Sequence, residues 1–213
     1  MNQLKTFISY SSEDKLIGKL FKRCFENYAG FSVFLAHEDI APATEWELKI
    51  AKNLKEVDLV FPLITDNYRN SEFTDQELGM ALAWNKIIIP IKLSNINPYG
   101  FIKKLQALKC RCEENEIINA VVTVVFVLVK NKQFNKFKDK VVDSVVSAFC
   151  KSASYSATRI ITRMLLEIDY FDRIQIDHLK DAIRYNNQVC EELYALPALI
   201  KKLKDEYKIV IDT

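Results

Sequence analysis

Apolar and polar positions along the first hundred residues alternate between two periods. Lys5-Thr6-Phe7-Ile8-Ser9-Tyr10 reads as a strand, and Asp14 to Tyr28 as an amphipathic helix through Leu16, Ile17, Leu20, Phe21 and Phe25. A strand Phe31 to Leu35 after Gly30, a helix Glu45 to Lys55, a strand Asp58 to Ile64, a helix Thr74 to Trp84 and a strand Ile87 to Lys92 continue the series. Short apolar runs separated by helices predict a parallel sheet covered on both faces. Beyond about Pro98 the spacing predicts helices only: 116–130 as the last helix of the α/β unit, then 134–149, 156–169, 177–186 and 188–206 as a small appended bundle. The expected division is an α/β domain over 1–130 and an all-α domain over 133–213, used for assembly or sensing.

Within this pattern Glu47 is out of place. Ile50, Ala51 and Leu54 follow it at i+3, i+4 and i+7, so the spacing sets a carboxylate on the inward stripe of its helix. Two explanations stand open. Thr44-x-x-Glu47 fits a capping box, in which the Glu reaches back to the first residue's backbone N–H, or the acid lines a pocket and does chemistry.

In open parallel sheets ligands bind beyond the carboxyl ends of the strands, here the loops after Tyr10, Leu35 and Ile64. These loops carry Ser11-Ser12-Glu13-Asp14, then His37-Glu38-Asp39 and Pro42, then Thr65-Asp66-Asn67-Tyr68-Arg69-Asn70-Ser71. Ser9, Tyr10, Ser11, Asp39, Trp46 and Ser71 are the candidates for substrate contact around Glu47. Five of them have a plainer reading: Ser9, Tyr10 and Ser11 end a strand and cap a helix, Trp46 packs in a core, and Asp39 is a solvated loop charge or a partner contact. Glu77 reads as a surface residue of its helix, with interface or ribose contact the lesser option.

Composition narrows the classes. With 30 Lys plus Arg against 28 Asp plus Glu, the net charge of +2 gives none of the field that non-specific nucleic-acid binding needs. The five cysteines are odd in number and include no C-x-x-C, so neither a disulfide framework nor a zinc site is expected, and a reducing cytoplasm fits. The longest apolar run, Ala120 to Val129 broken by Thr123, is about half of the ~20 residues a membrane span needs. Only four glycines occur, and no phosphate-binding glycine loop is among them.

Taken in order, several segments resemble the TIR (Toll/interleukin-1 receptor) domain family. Phe7-Ile8-Ser9-Tyr10-Ser11 is similar to its first box. Gly30-Phe31-Ser32-Val33-Phe34-Leu35 with Glu38-Asp39-Ile40 is similar to its second strand and BB loop. Asp58 to Ile64, Asn67-Tyr68-x-x-Ser71 and Glu77-Leu78 continue the likeness, which covers roughly residues 4–130. The resemblance implies a flavodoxin-like fold. It also implies cleavage of NAD+ by a Glu on the helix after the BB loop, which anchoring on Ile50 and Leu54 sets at Glu47. Several enzymes of the family carry an aromatic one turn before that Glu; here Ala43 stands four residues earlier and Trp46 is adjacent.

The implied reaction breaks the nicotinamide–ribose bond. Nicotinamide leaves without a general acid, so one carboxylate suffices and neither metal nor cofactor is called for. Water as acceptor gives ADP-ribose, an internal atom a cyclic product and a foreign base an exchanged one. The likeness to small bacterial TIR proteins of Thoeris-type antiphage systems implies a signal read by a downstream effector protein. It also implies self-association through the BB loop, while charge and apolar-run length predict neither nucleic acid nor membrane as partner. Alternatives are a non-catalytic scaffold recruiting partners through the BB loop, a nucleoside base-exchange enzyme, and a virulence factor mimicking host adaptors.

Overall fold

The computed structural model describes residues 1–35 and 46–209, and of Trp46 the backbone alone. By contact the chain forms two compact units: Lys5–Cys24 with Ser32–Ala120, and Met1–Leu4 with Phe25–Phe31 and Val121–Thr213.

The first unit is built on six parallel strands: β1 (Lys5–Ser9), β2 (Ser32–Leu35), β3 (Leu59–Ile64), β4 (Ile87–Ile88), β5 (Ile91–Lys92) and β6 (Leu108–Lys109). They run in the order β2-β1-β3-β5-β6, with β4 also paired to β3. β3 is buried along its whole length, as a central strand covered on both faces must be. The expected strand 87–92 is two short ones. Pro90 lies between them and has no N–H to give a ladder, while its carbonyl accepts from Leu108 at 2.9 Å. β6 falls where only helix was expected, because a two-residue strand leaves no periodicity to read.

The helices of this unit are α1 (Lys15–Cys24), α2 (Trp46–Glu56), the single turn α3 (Asp66–Arg69), α4 (Glu72–Ala83) and the start of α5 (Glu114–Lys130). On α1 the buried residues are Gly18, Phe21 and Cys24, and Leu16, expected on the inner face, is 82% exposed. Gly18 lets this face of α1 close on Tyr10 and on Leu35 of β2. A Cβ on Gly18 would come within 3.1 Å of the Tyr10 ring and 3.3 Å of Leu35. The core lies between the sheet and the pair α2 and α4, with Phe7, Val60 and Ile64 from strands, Ile50 and Leu54 from α2, and Leu78 and Ala81 from α4.

The second unit contains α6 (Lys138–Cys150), α7 (Tyr155–Leu166), α8 (Arg173–Tyr185), the short α9 (Asn187–Cys190) and α10 (Leu196–Tyr207). The expected helix 188–206 is interrupted between Cys190 and Leu196, where Glu192 accepts the backbone N–H groups of Tyr194, Ala195 and Leu196 and so caps α10. Two short pieces from early in the sequence complete this unit. Phe25–Ala29 is a wide π turn, and Gly30 after it takes φ +67°. A Cβ on Gly30 would lie 2.0 Å from the Ser144 carbonyl oxygen of α6, so close packing and handedness both require glycine there. Leu4 N donates to Ser144 Oγ at 2.9 Å, and Asn2 N to Asp143 at 2.7 Å. The division by contact therefore differs from a linear split near residue 130, since it assigns two early segments to the helices and falls within α5.

Candidate functional site

At the carboxyl end of β1 a buried acid meets two hydroxyls. Ser9 Oγ donates to Glu77 Oε2 at 2.6 Å and lies 3.2 Å from Tyr68 Oη. Ser9 and Tyr68 are fully buried, and Glu77 is 3% exposed. The position follows from local structure. β1 ends at Ser9, α3 after β3 carries Tyr68, and α4 turns Thr74, Glu77, Leu78 and Ala81 inward at helical spacing. The other oxygen of Glu77, Oε1, is buried with no hydrogen-bond partner among the described residues. Burial pushes the Glu77 carboxyl up to about 8, against the lowering effect of the Ser9 hydrogen bond. Burial also raises the Tyr68 phenol well above its ordinary value, with Ser9 opposing, so this hydroxyl keeps its proton.

Glu77 lines a cavity of about 290 Å³ between α2 and α4, together with Glu47, Leu48, Ile50, Ala51, Phe73, Gln76 and Met80. Its walls are mainly apolar, with two carboxyl groups set among them. The size, just under the ~300–1,000 Å³ usual for small-molecule pockets, suits one end of an extended ligand. A larger cleft of about 680 Å³ lies at the ends of β5 and β6, among Lys92, Lys109, Arg111, Asp66 and Glu116. It includes none of the sequence-derived candidates and no buried polar atom left without a partner.

Glu47 does line the cavity, but it is exposed and not turned inward with Ile50 and Leu54. It sits in the first turn of α2. The capping-box partner Thr44 is outside the described residues, as are Asp39 and the Trp46 side chain. Ser9 touches Glu77 and Tyr68. Tyr10 is fully buried with its ring against Gly18, and Ser11 is buried, its carbonyl accepting from Asp14 N at 2.8 Å. Ser71 is the half-buried residue before α4, and its carbonyl accepts the Thr74 hydroxyl at 2.7 Å. Tyr10, Ser11 and Ser71 are not among the cavity's lining residues.

Two of the crevice loops are joined by a second acid. Asp14, 7% exposed, accepts Thr65 Oγ1 at 2.5 Å and Asn67 Nδ2 at 2.8 Å, which fixes the loop after β3 against the loop after β1. Thr65 Oγ1 in turn accepts Tyr68 N at 2.9 Å, setting the position of the Tyr68 ring. Among the described residues no three His, Cys, Asp or Glu side chains are grouped as a metal site.

Glu77 is the residue that the sequence reading misplaced at the surface. The signal was present: Thr74, Leu78 and Ala81 flank it at the same helical spacing that marked Glu47. Phe73, four residues before Glu77, lines the same cavity.

No curated protein matches the chain. Among solved structures, the TIR domain of the Toll-related receptor TRR-2 from Hydra magnipapillata is similar at 19% identity and a TM-score of 0.46, over 63% of this chain and 96% of that one. A family model described as TIR domain matches residues 6–122, more than half of the sequence. The chain thus belongs to the TIR-domain family.

Proposed function

We propose that the protein cleaves the nicotinamide–ribose bond of NAD+, with Glu77 as the carboxylate at the reacting sugar and Glu47 as a second acid at the mouth of the cavity. The observation that carries this reading is the buried Glu77, held through Oε2 by Ser9 while Oε1 has no partner among the described residues, on the wall of a largely apolar cavity. An unpartnered carboxyl oxygen in such a place costs stability, and a cationic ligand would repay it.

In the free protein near pH 7 the Glu77 carboxyl holds its proton. A positively charged nicotinamide ring entering the cavity favours the ionised form, because opposite charge nearby lowers a carboxyl pKa. The proton departs to solvent. The C1′–N bond then breaks, its electron pair goes to the ring nitrogen, and neutral nicotinamide leaves. The cation left on the ribose is stabilised by Glu77 until an acceptor oxygen or nitrogen bonds to C1′ and releases a proton. No metal or redox partner enters this balance. In this reading the cavity takes the nicotinamide–ribose end.

The reading extends to an ADP-ribose-derived signal, linear or cyclic, in bacterial antiphage defence, on the strength of the family resemblance alone. The test is NAD+ consumption by the intact protein at high concentration with a crowding agent, products resolved by mass, beside Glu77→Gln and Glu47→Gln. Release of nicotinamide that disappears in a folded Glu77→Gln supports the reaction, and the product mass separates hydrolysis from cyclisation. If the native protein leaves NAD+ intact even when assembled, the weight moves to a scaffold.

A further inference from the structure

The reaction above uses the Glu77 carboxylate and leaves its two hydroxyl neighbours without a role. Ser9 has one hydroxyl proton, and the ionised Glu77 can only accept, so that proton is committed to Oε2 at 2.6 Å. Ser9 Oγ is then an acceptor toward Tyr68, and the phenol donates across 3.2 Å. The result is a directed chain, Tyr68 O–H to Ser9 O–H to Glu77 Oε2, in which each donor polarises the next. All three groups are buried, and they come from β1, α3 and α4.

A chain of this kind could be a mere staple between β1 and α4. A staple would be better served by an amide at position 77, which needs no charged state inside the protein. The carboxyl makes the arrangement asymmetric instead: one oxygen held, the other left without a protein partner among the described residues. Holding Oε2 fixes the plane of the carboxyl group and keeps it from turning its second oxygen away.

We infer that Ser9 and Tyr68 are positioning residues, a two-hydroxyl relay that clamps Oε2 of Glu77, favours its charged form and reserves Oε1 for the ligand. The inference rests on the reading of Glu77 as the reactive carboxylate, and it replaces direct substrate contact as the role of Ser9.

Among the described residues few titratable groups are set about Glu77. Tyr68 comes from α3, Glu47 from α2 across the cavity, and β1 supplies Ser9, which does not titrate. Asp75 on α4 and Tyr99 act on Tyr68 and raise its phenol further. Among the described residues no cation acts on Glu77, and the Ser9 hydrogen bond is what opposes burial.

Carboxyl-¹³C glutamate in the full chain reports the test directly, with Glu77→Gln identifying the resonance. Ser9→Ala raises the midpoint of the Glu77 titration by about one pH unit, the worth of one charge-assisted hydrogen bond. Tyr68→Phe raises it by less, and Ser9→Cys, with a weaker donor, falls between Ser9→Ala and the native protein. Both main variants remove single polar atoms, and near-ultraviolet circular dichroism confirms the fold. NAD+ turnover in Ser9→Ala falls roughly tenfold at pH 7 and recovers at higher pH, with KM little changed.

An unchanged Glu77 titration in Ser9→Ala overturns the relay, as does a rise in KM alone, which would mark Ser9 as a ligand contact. A shifted titration in a protein whose native form never consumes NAD+ keeps the relay and removes the NAD+ reading.

Discussion

Ser9 and Glu77 are 68 residues apart in the sequence and joined by a 2.6 Å hydrogen bond at the carboxyl end of the first strand. This bond links the sheet to the wall of the cavity between α2 and α4. It also holds a carboxyl group where water is excluded and every interaction with charge is strengthened.

The stability of the native protein should record that burial. Burial pushes the Glu77 carboxyl up to about 8, from an ordinary value near 4.5. Between these values the folded chain holds a proton that the unfolded chain has released, so stability falls as pH rises, by about 1.4 kcal/mol per pH unit from this group. Glu77→Gln removes the slope. Denaturant melts are expected to show the variant a few kcal/mol more stable than the native protein at pH 8 and nearly equal to it at pH 4, while NAD+ turnover is lost by more than about 100-fold. Equal stability at both pH values would mean that Glu77 is not buried as a titrating acid.

Glu47 stands at the opening and is solvated, so its loss costs less. Glu47→Gln should raise KM by about tenfold or less and leave kcat within a few-fold, since a solvated charge contributes mainly to attraction of the cationic ring. Steady-state kinetics at low and high salt check this. Abolition of kcat in Glu47→Gln, with Glu77→Gln active, would return the main role to Glu47.

Gly30→Ala is expected to destabilise the protein by several kcal/mol. The residue has φ +67°, and the new methyl would stand 2.0 Å from the Ser144 carbonyl oxygen. Left-handed strain contributes about 1–2 kcal/mol and the collision the rest. Thermal denaturation measures it, and a loss below about 1 kcal/mol would show that the segment relaxes freely.

Glu192 should be the most sensitive acid of the helical unit. Burial raises its carboxyl, yet the N–H groups of Ala195 and Leu196, the Arg159 guanidinium at 3.0 Å and the N–H of Tyr194 outweigh it, and the net direction is down. Its contribution is therefore present above the unfolded value near 4.5 and is lost as pH falls through the lower folded one. Glu192→Gln is expected to cost about 2–3 kcal/mol at pH 7 and much less in acid, read from urea melts.

Truncation after residue 132 should yield an unstable fragment. Leu4, Phe25, Ala29 and Phe31 are buried in the unit completed by the C-terminal helices, so removing residues 133–213 uncovers a contiguous apolar group. Expression of 1–132 with a dye-binding assay for exposed apolar surface tests this. A monomeric, cooperatively melting fragment would show that the first unit stands alone.

Much of the architecture was written locally. The longer strands and helices through residue 92, the parallel sheet and the helical character of the C-terminal segments follow from spacing, because burial of one stripe or one strand repeats within a few residues. What spacing did not carry was decided over long range. The two-residue β6 exists only through its pairing with β5, and the wide turn at Phe25–Ala29 reaches its partner on α6 more than a hundred residues later. The apolar stripe of α2 singles out Glu47, whose place in the first turn leaves it exposed, while the inward stripe of α4 includes Glu77. Sequence determined that an acid would interrupt an apolar face. Only the tertiary structure could decide which acid lost its water, because desolvation depends on what packs against a side chain from other elements: here the end of β1, the turn carrying Tyr68 and the wall of a cavity.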